Sequence, residues 1–415
     1  MEKTNYILHL DGDAFFASVE IAKNSSLKGK SVVVGRDKSI ATAFSYEAKA
    51  LGVQRGMPIF MVKKMCPQAI IVGSDFRSYE LYSESMFSII EKYVGSIQRY
   101  SIDECFADLG MRTFEEVANL LKRMQDDVTS QLGIGVSFGA GPTKVLAKLA
   151  SKHKKPLGVT VINAENMSSV INEVPIGKVW GIGRSGTAFL HAQGINTVGN
   201  FISKPEWWIK ENFSLPMREI WRELRGEKVF SVGGYNRVPD ECVEPLKSIS
   251  DTRSFRPFTS SVEPLLRELS KHLEAVCERA RSHNLESRRV HFFIKDRFMR
   301  IHSAEVFLPA YTNVPHDIMP QIRKAFSQVH DSDMLYRASG VTLSEMRSVV
   351  VVQQDFFGNA DRTGALRNVF KAVDKLTSKY GDGAVSLGSS FKKFPNQQAN
   401  IFRRLPLPFH GVIAS

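Results

Sequence analysis

The stretch Tyr100-Ser101-Ile102-Asp103-Glu104-Cys105-Phe106-Ala107-Asp108-Leu109 constrains this chain more than any other. Two adjacent carboxylates, Asp103 and Glu104, sit between apolar and β-favouring residues. Along a strand, neighbouring side chains point to opposite faces, so such a pair converges on one ion only at a tight bend. The pattern predicts a hairpin, Ser96 to Ser101 and Cys105 to Leu109, with the acids at its tip. Like charges this close repel and are held where a cation compensates, typically Mg²⁺, which prefers oxygen ligands. An exposed acidic turn has the same local sequence, so an acid from elsewhere in the chain has to decide.

Asp11 is that acid. Tyr6-Ile7-Leu8-His9-Leu10 reads as a buried strand ending at Asp11, and a carboxylate closing a core strand is expensive unless it is paired. Asp13 precedes the helical run from Ala14 to Ile21 and is expected to cap that helix rather than to bind a metal.

Residues 24–73 read as an inserted subdomain of short elements, with strands over 31–34 and 40–44 and helices over 46–51 and 58–65. Tyr79, Tyr82, Met86, Ile89 and Tyr93 mark a helix over 75–94, and Phe114, Val117, Leu121, Met124, Val128 and Leu132 mark another. A strand over 134–138 leads to Gly139-Ala140-Gly141-Pro142 and a helix over 143–153. Without the insertion the order is strand, helix, strand, strand, helix, strand. This is the ferredoxin-like α+β pattern, whose inner strands can bring Asp11 beside the Asp103–Glu104 bend.

At 415 residues the chain exceeds a single core. The balance of 55 Lys+Arg against 43 Asp+Glu suits a polyanionic partner, nucleic acid before membrane. Four cysteines without CxxC spacing argue against a zinc site or disulfide framework and fit a reducing cytosol. With no signal-peptide core and no membrane-length apolar run, a cytoplasmic protein is expected. Lys144, Lys148 and Lys152, with Lys155, share one helix face within an acid-free stretch from Val128 to Ala164, which predicts a phosphate-facing surface.

Residues 164–235 are predicted to be a compact helical region. In it, Ile176-Gly177-Lys178-Val179-Trp180-Gly181-Ile182-Gly183-Arg184 and the later Gly194-Ile195-Asn196-Thr197-Val198 look like a helix-hairpin-helix. The amides at Gly181 and Gly183 are then candidates for gripping a DNA phosphate. Residues 236–247 read as a linker, followed by a second strand-helix-strand-strand-helix-strand domain over 248–350. Its Arg288, Arg289, Lys295, Arg297 and Arg300 lie close together and suit a backbone-tracking surface. The tail, 351–415, opens with Gln353-Gln354-Asp355-Phe356-Phe357 and continues into a helix with Leu366, Val369, Phe370, Val373, Leu376 and Tyr380 on one stripe.

Several of these stretches occur together in one known family. Leu10-Asp11-Gly12-Asp13-Ala14-Phe15-Phe16-Ala17-Ser18-Val19-Glu20 with Ser101-Ile102-Asp103-Glu104 closely resembles the Y-family translesion DNA polymerases of the bacterial DinB/UmuC type. The match continues through Ser45-Tyr46-Glu47-Ala48-Lys49, Gly139-Ala140-Gly141-Pro142-Thr143-Lys144 and Lys155-Pro156-Leu157-Gly158. The core reads closer to DinB and the tail closer to UmuC.

The resemblance implies a palm (1–23 and 74–163), small fingers (24–73), a thumb with the helix-hairpin-helix (164–235) and an α+β little finger (248–350). It implies template-directed addition of deoxynucleotides to a primer 3′ end, in DNA damage tolerance and with low fidelity. Asp11, Asp103 and Glu104 would bind two Mg²⁺ ions, with the Gly12 carbonyl completing one site. Tyr46, Lys49 and Lys155 fall where the family holds the β- and γ-phosphates. Lys49 replaces the more usual Arg and loses its bidentate fork, and Ala43 stands where many relatives have Thr. Phe16 takes the position of the steric gate, a flat ring that clashes with a ribose 2′-hydroxyl. The small residues Ala41, Ala43, Ser45 and Ala48 imply a loose roof over the nascent pair. Gln353, Phe356 and Phe357 resemble a sliding-clamp peptide, and Gln398-Ala399-Asn400-Ile401-Phe402 is a second candidate. The implied partners are primer-template DNA, deoxynucleoside triphosphates and a clamp, with no membrane, and the chain is expected to act as a monomer.

Two other readings fit part of the pattern. A two-metal nuclease or cyclase on the same scaffold would use the same acids, but it leaves Phe16 and the Tyr46/Lys49/Lys155 set unexplained. A non-catalytic DNA-binding or clamp-associated factor would be expected to lack a carboxylate, and none is lacking.

Overall fold

The computed structural model describes residues 3–233 apart from 38, 246–349, and 359–390 apart from 382–384 and 386. The chain forms two compact units, Met1–Pro239 and Asp240–Ser415.

In the first unit, β1 (Thr4–Gly12) is buried from Tyr6 onward, as its apolar run requires, and α1 (Phe15–Lys23) follows it. The insertion forms a sheet of its own. Its elements are β2 (Val32–Val34), β3 (Ala43–Phe44), α2 (Tyr46–Ala50), α3 (Ile59–Met65) and β4 (Ile70–Val72), in strand order β3-β2-β4. Val33, Ala48, Val53, Ile59 and Val62 give it a small separate core.

The chain then returns to the main sheet. Asp75 caps α4 (Phe76–Val94), accepting from the Ser78 amide at 3.2 Å. After β5 (Gln98–Arg99) and β6 (Glu104–Arg112), α5 (Phe114–Leu132) begins at a Thr113/Glu116 capping box, which satisfies two otherwise orphaned donors. Next come β7 (Val136–Gly141), α6 (Lys144–His153) and β8 (Val159–Val161). The sheet runs β5-β6-β1-β7-β8. Its first four strands have the ferredoxin-like order, and β6 and β1 are central in it. β8 is added in parallel beside β7. One face buries Leu8, Leu10, Tyr79, Met86, Ile90, Leu121, Met124 and Phe138.

The strand expected over 134–138 is corrected to Val136–Gly141, so Gly139-Ala140-Gly141 lie within it. The glycines serve close approach rather than a turn. A Cβ at Gly139 would lie 2.2 Å from both the Ala147 carbonyl oxygen and the Ser151 nitrogen, so α6 lies directly on the strand.

The helical region holds α7 (Met167–Ile171), α8 (Arg184–Ala192), α9 (Val198–Ile202), α10 (Glu206–Asn212) and α11 (Leu215–Leu224) around Ile176, Ile182, Leu190, Phe201 and Trp221. The expected first helix of the hairpin is a single 3₁₀ turn, Ile176–Lys178. Buried Glu223 of α11 binds this region to the sheet layer. It accepts from the Val229 and Phe230 amides, both at 2.7 Å, and from Val145 at the start of α6 at 3.2 Å.

The second unit repeats the element order: β9 (Ser248–Thr259), α12 (Val262–Ser282), β10 (Leu285–Asp296), β11 (Ile301–Thr312), α13 (Pro315–Phe326) and β12 (Tyr336–Ser348). Its strand order is different, β11-β10-β12-β9, with every pairing antiparallel. Leu269, Leu273, Val276, Phe292, Ile318 and Val341 fill its core. Then α14 (Asn359–Tyr380) follows. Arg281 of α12 holds Asp374 through two bonds of 2.7 Å and lies over the Phe370 ring at 5.0 Å. Residues 236–245 of the expected linker and both clamp-like peptides, including Gln353, Phe356 and Phe357, lie outside the described residues.

Candidate active site

Asp11 is the penultimate residue of β1, and its direct partner across the antiparallel ladder is Glu104, the first residue of β6. The Gly12 amide donates to the Asp103 carbonyl at 2.9 Å, and the Tyr100 and Ser101 amides donate to the Glu104 carbonyl at 2.9 and 3.1 Å. The bend therefore exists where the sequence puts it, and the three expected acids meet at one end of two adjoining strands. They border a cleft of about 670 Å³ together with Gly12, Phe16, Tyr46, Lys49, Arg55, Tyr100 and Lys148.

Each buried acid already has a cation. Lys155 bonds to the Asp11 carboxylate, lies 3.3 Å from Asp13 and donates to the Gly12 carbonyl at 3.4 Å. Lys148 reaches Glu104 at 2.6 Å. Asp103 accepts from the Ser101 hydroxyl at 2.5 Å. With the carboxylates turned to these partners, no group of three His, Cys, Asp or Glu among the described residues forms a closed metal site. The donor chemistry nevertheless suits a hard divalent ion, because every available ligand is an oxygen. The Lys155 ammonium also rests on the same two groups, Asp11 and the Gly12 carbonyl, that such an ion would use.

Burial pushes the Asp11 carboxyl up to about 6 in spite of Lys155. Burial also acts to raise Glu104, but the His9 and Lys148 side chains outweigh it and hold this carboxyl well below the usual range. His9, fully buried in β1, is pushed down to about 4 by burial, so the ring is neutral at pH 7. Its Nδ1 bonds to the Ser151 hydroxyl at 2.8 Å, and its Nε2 stands 3.8 Å from Glu104, beyond hydrogen-bond reach. With His9 uncharged, Lys148 is the main counterweight.

Asp13 does not cap α1, and that expectation is corrected. Ala14 holds the cap position with no side-chain bond. Asp13, 2% exposed, turns inward, where both of its carboxylate oxygens accept from Ser137 at 2.9 Å and one accepts from the Leu157 amide at 2.7 Å. Tyr46 donates to it at 3.4 Å, and its hydroxyl is pushed up, first by burial and then by the Asp13 charge. Asp13 thus joins β1, β7, the 155–158 loop and the first residue of α2. Lys49 is exposed, 5.4 Å above the Tyr46 ring. Phe16 stacks on Tyr79 with centroids 4.2 Å apart and planes 11° from parallel, and Tyr79 in turn donates to Glu20 at 2.8 Å.

The lysine stripe needs a second correction. Lys152 is exposed, but Lys144 and Lys148 are 6% and 5% exposed. Lys144 donates to Gln98 at 2.6 Å and to the Ser231 carbonyl at 3.3 Å. The absence of acids nearby in sequence is real, but Glu104 supplies the counter-charge from across the sheet.

Gly181 has φ +87°, and Gly183 leads into α8 with open space around its Cα. In the second unit Arg288 donates to the Leu308 carbonyl at 3.2 Å, while Arg297 and Arg300 flank the Phe298 ring. Lys295 is half-buried opposite Ile301. Arg289 is less free than its local sequence suggests, since Glu345 lies 2.9 Å away and Glu305 3.6 Å.

Sequence reasoning gave no functional role to Arg55, Tyr79, Tyr100, Ser137 or Trp180. Only His9 carried a signal, as a polar residue inside a buried apolar strand.

The impB/mucB/samB family matches residues 10–152, and its C-terminal domain matches residues 246–356. DNA polymerase IV of Desulfatibacillum aliphaticivorans is 28% identical over 92% of this chain and 96% of that protein. DNA polymerase IV 1 of Bacillus subtilis (strain 168) is 27% identical over 94% of each. Among solved structures, a Y-family DNA polymerase chimera of Dbh and Dpo4 shares the fold, with TM-score 0.69 and 24% identity over 83% of this chain and all of that one. An insertion ternary complex of Dbh DNA polymerase gives TM-score 0.53 and 25% identity with the same coverage. With both family segments in place, relatives matched over nearly their whole length and the fold in common, the chain belongs to the impB/mucB/samB family, the Y-family of DNA polymerases.

Proposed function

We propose that this chain is a template-directed DNA polymerase of the translesion type, extending a primer 3′ end with deoxynucleotides. The observation that carries the reading is Asp11 opposite Glu104, with Asp103 at the same bend and Phe16 lining the same cleft. The relatives named DNA polymerase IV support it. Asp11, Asp103, Glu104 and the Gly12 carbonyl would hold two Mg²⁺ ions. Such ions supply the Lewis acidity that activates the primer hydroxyl and neutralises the leaving pyrophosphate.

The side chains divide the remaining work. Lys155, Lys49 and Tyr46 would take the triphosphate. Lys155 is the informative case, because its present anionic partner is Asp11 and an incoming phosphate offers it another. Asp13 fixes Tyr46 and the 155–158 loop, so that these groups meet the nucleotide in one geometry. Phe16, backed by Tyr79, would exclude a ribose 2′-hydroxyl. Lys152, the Gly181–Gly183 turn, and Arg288, Arg289, Lys295, Arg297 and Arg300 would contact the DNA backbone, and Gln353, Phe356 and Phe357 a sliding clamp. Among the described residues no helix is long and apolar enough to cross a membrane.

Primer extension with Mg²⁺, wild type against Asp103→Ala, tests the reading. Extension by the wild type and its loss in the variant are expected. Primer degradation would point to a nuclease, and an inert wild type to a binding factor.

A further inference from the structure

Lys148 is held from three sides. Its ammonium lies 2.6 Å from Glu104, 4.1 Å from the centroid of the Tyr100 ring and 5.5 Å from that of Trp180. The two rings are close to perpendicular, 83° apart with centroids 5.5 Å apart, and the Trp180 Nε1–H donates to the Tyr100 hydroxyl at 2.9 Å. They make a corner whose faces attract the cation, and each ring contributes on the scale of a cation–π contact. Glu104 is the acid that the ammonium faces across that corner.

The two walls come from different parts of the first unit. Tyr100, 47% exposed, belongs to the acidic bend and lines the cleft. Trp180 belongs to the Gly177–Gly183 turn of the helical region. It packs both on the core of that region and on the sheet-side cluster of Ile7, Phe106 and Ala147. The seating of this turn on the sheet therefore decides whether the box around Lys148 is closed.

We propose that Trp180 is a positioning residue acting on Glu104 through Lys148, so that the seating of the thumb turn governs how readily Glu104 accepts a divalent cation. The inference rests on Glu104 being a cation ligand, as proposed above. Lysine and metal compete for one carboxylate, so whatever holds the lysine in place lowers the apparent metal affinity by the same factor. With the box closed, the ammonium stays on Glu104. With one wall removed, the ammonium is free to swing out and Glu104 is released to a cation.

The test is Mn²⁺ binding to the full-length, DNA-free protein, read from the electron paramagnetic resonance signal of free Mn²⁺. Trp180→Leu is expected to bind Mn²⁺ about two- to fivefold more tightly than wild type, the gain that follows from losing one cation–π wall. Lys148→Met is expected to bind more tightly still. Adding Trp180→Leu to Lys148→Met should bring no further gain, an outcome that a merely structural role for the tryptophan would not produce. Should Trp180→Leu fail to fold, Tyr100→Leu removes the other, exposed wall and carries the same expectation. Wild-type affinity in both single-wall variants, or a gain that persists without Lys148, would overturn the proposal while leaving Glu104 a ligand. Binding unchanged by Glu104→Gln would overturn the proposal and the ligand assignment together.

Discussion

Asp11 and Glu104 face each other across the β1–β6 ladder, each bonded to its own lysine, Lys155 or Lys148. The two acids are nevertheless in opposite electrostatic states. Burial outweighs Lys155 and raises Asp11 from 3.8 to about 6, whereas Glu104 is held low. Because the folded state holds its Asp11 proton more tightly than the unfolded chain, stability falls as pH rises from 3.8 through about 6. Above that window the ionised Asp11 costs about 3 kcal/mol. Asp11→Asn is expected to be more stable than wild type by about that amount at pH 8. The gap should close below about pH 4, where Asp11 is protonated in both states. Urea unfolding at several pH values measures it, and primer extension by the variant should be abolished.

Phe16 is expected to set sugar selectivity. Phe16→Ala removes the ring that stacks on Tyr79 and opens the floor of the cleft. Ribonucleotide insertion should rise by at least about tenfold relative to deoxyribonucleotide insertion, since the loss of one steric clash is worth more than about 1.4 kcal/mol. Single-nucleotide insertion with paired ribo- and deoxyribonucleotides reads the ratio. Unchanged selectivity would remove Phe16 from the role.

Glu223→Ala tests the junction between α6 and the thumb. The substitution leaves the buried Val145 amide and the half-buried Val229 and Phe230 amides without their acceptor. At about 1–3 kcal/mol for each unsatisfied buried donor, a loss of roughly 3 kcal/mol or more is expected in chemical denaturation. Glu223→Gln, which keeps one acceptor oxygen, should lose less.

Arg281→Met is expected to release α14. The guanidinium supplies both bonds to Asp374, the contact with Phe370 and a 2.8 Å bond to the Asn313 carbonyl. Charge-assisted bonds of this kind contribute about 1.5–3 kcal/mol. Limited proteolysis should cut within 359–380 in the variant well before it does so in wild type, with the 248–348 domain left intact.

The sequence was most legible where periodicity and turn chemistry act locally. The apolar run before Asp11, the helical spacing from Tyr79 to Tyr93 and the acids at a bend between strand-formers lead directly to the main sheet and to the meeting of Asp11 with Glu104. It was misleading where one local pattern serves two physical ends. Gly139-Ala140-Gly141 falls after the expected end of its strand, yet it is strand, with glycines at 139 and 141 that let a helix lie on it. Asp13 has the residue type and position of a helix cap, yet it turns inward to Ser137 and the Leu157 amide, partners distant in sequence. The lysines of α6 share a face as expected, but spacing along one helix gives no indication of Gln98 and Glu104 waiting beneath it. The contact of Trp180 with Tyr100 had no local sign at all, because each residue alone reads as ordinary packing.

The bare backbone at Gly139 has a reach beyond its own neighbourhood. With Ala147 and Ser151 pressed against it, α6 has no clearance in which to settle lower, and a methyl group there would lift the helix bodily. Lys148 and the His9 partner Ser151 ride on that same helix, so a change at one backbone atom would reset the height of both above the acids. The distance between ammonium and carboxylate is gauged by the absence of a side chain, and adjustments to the chemistry have to come from parts of the molecule that can still move.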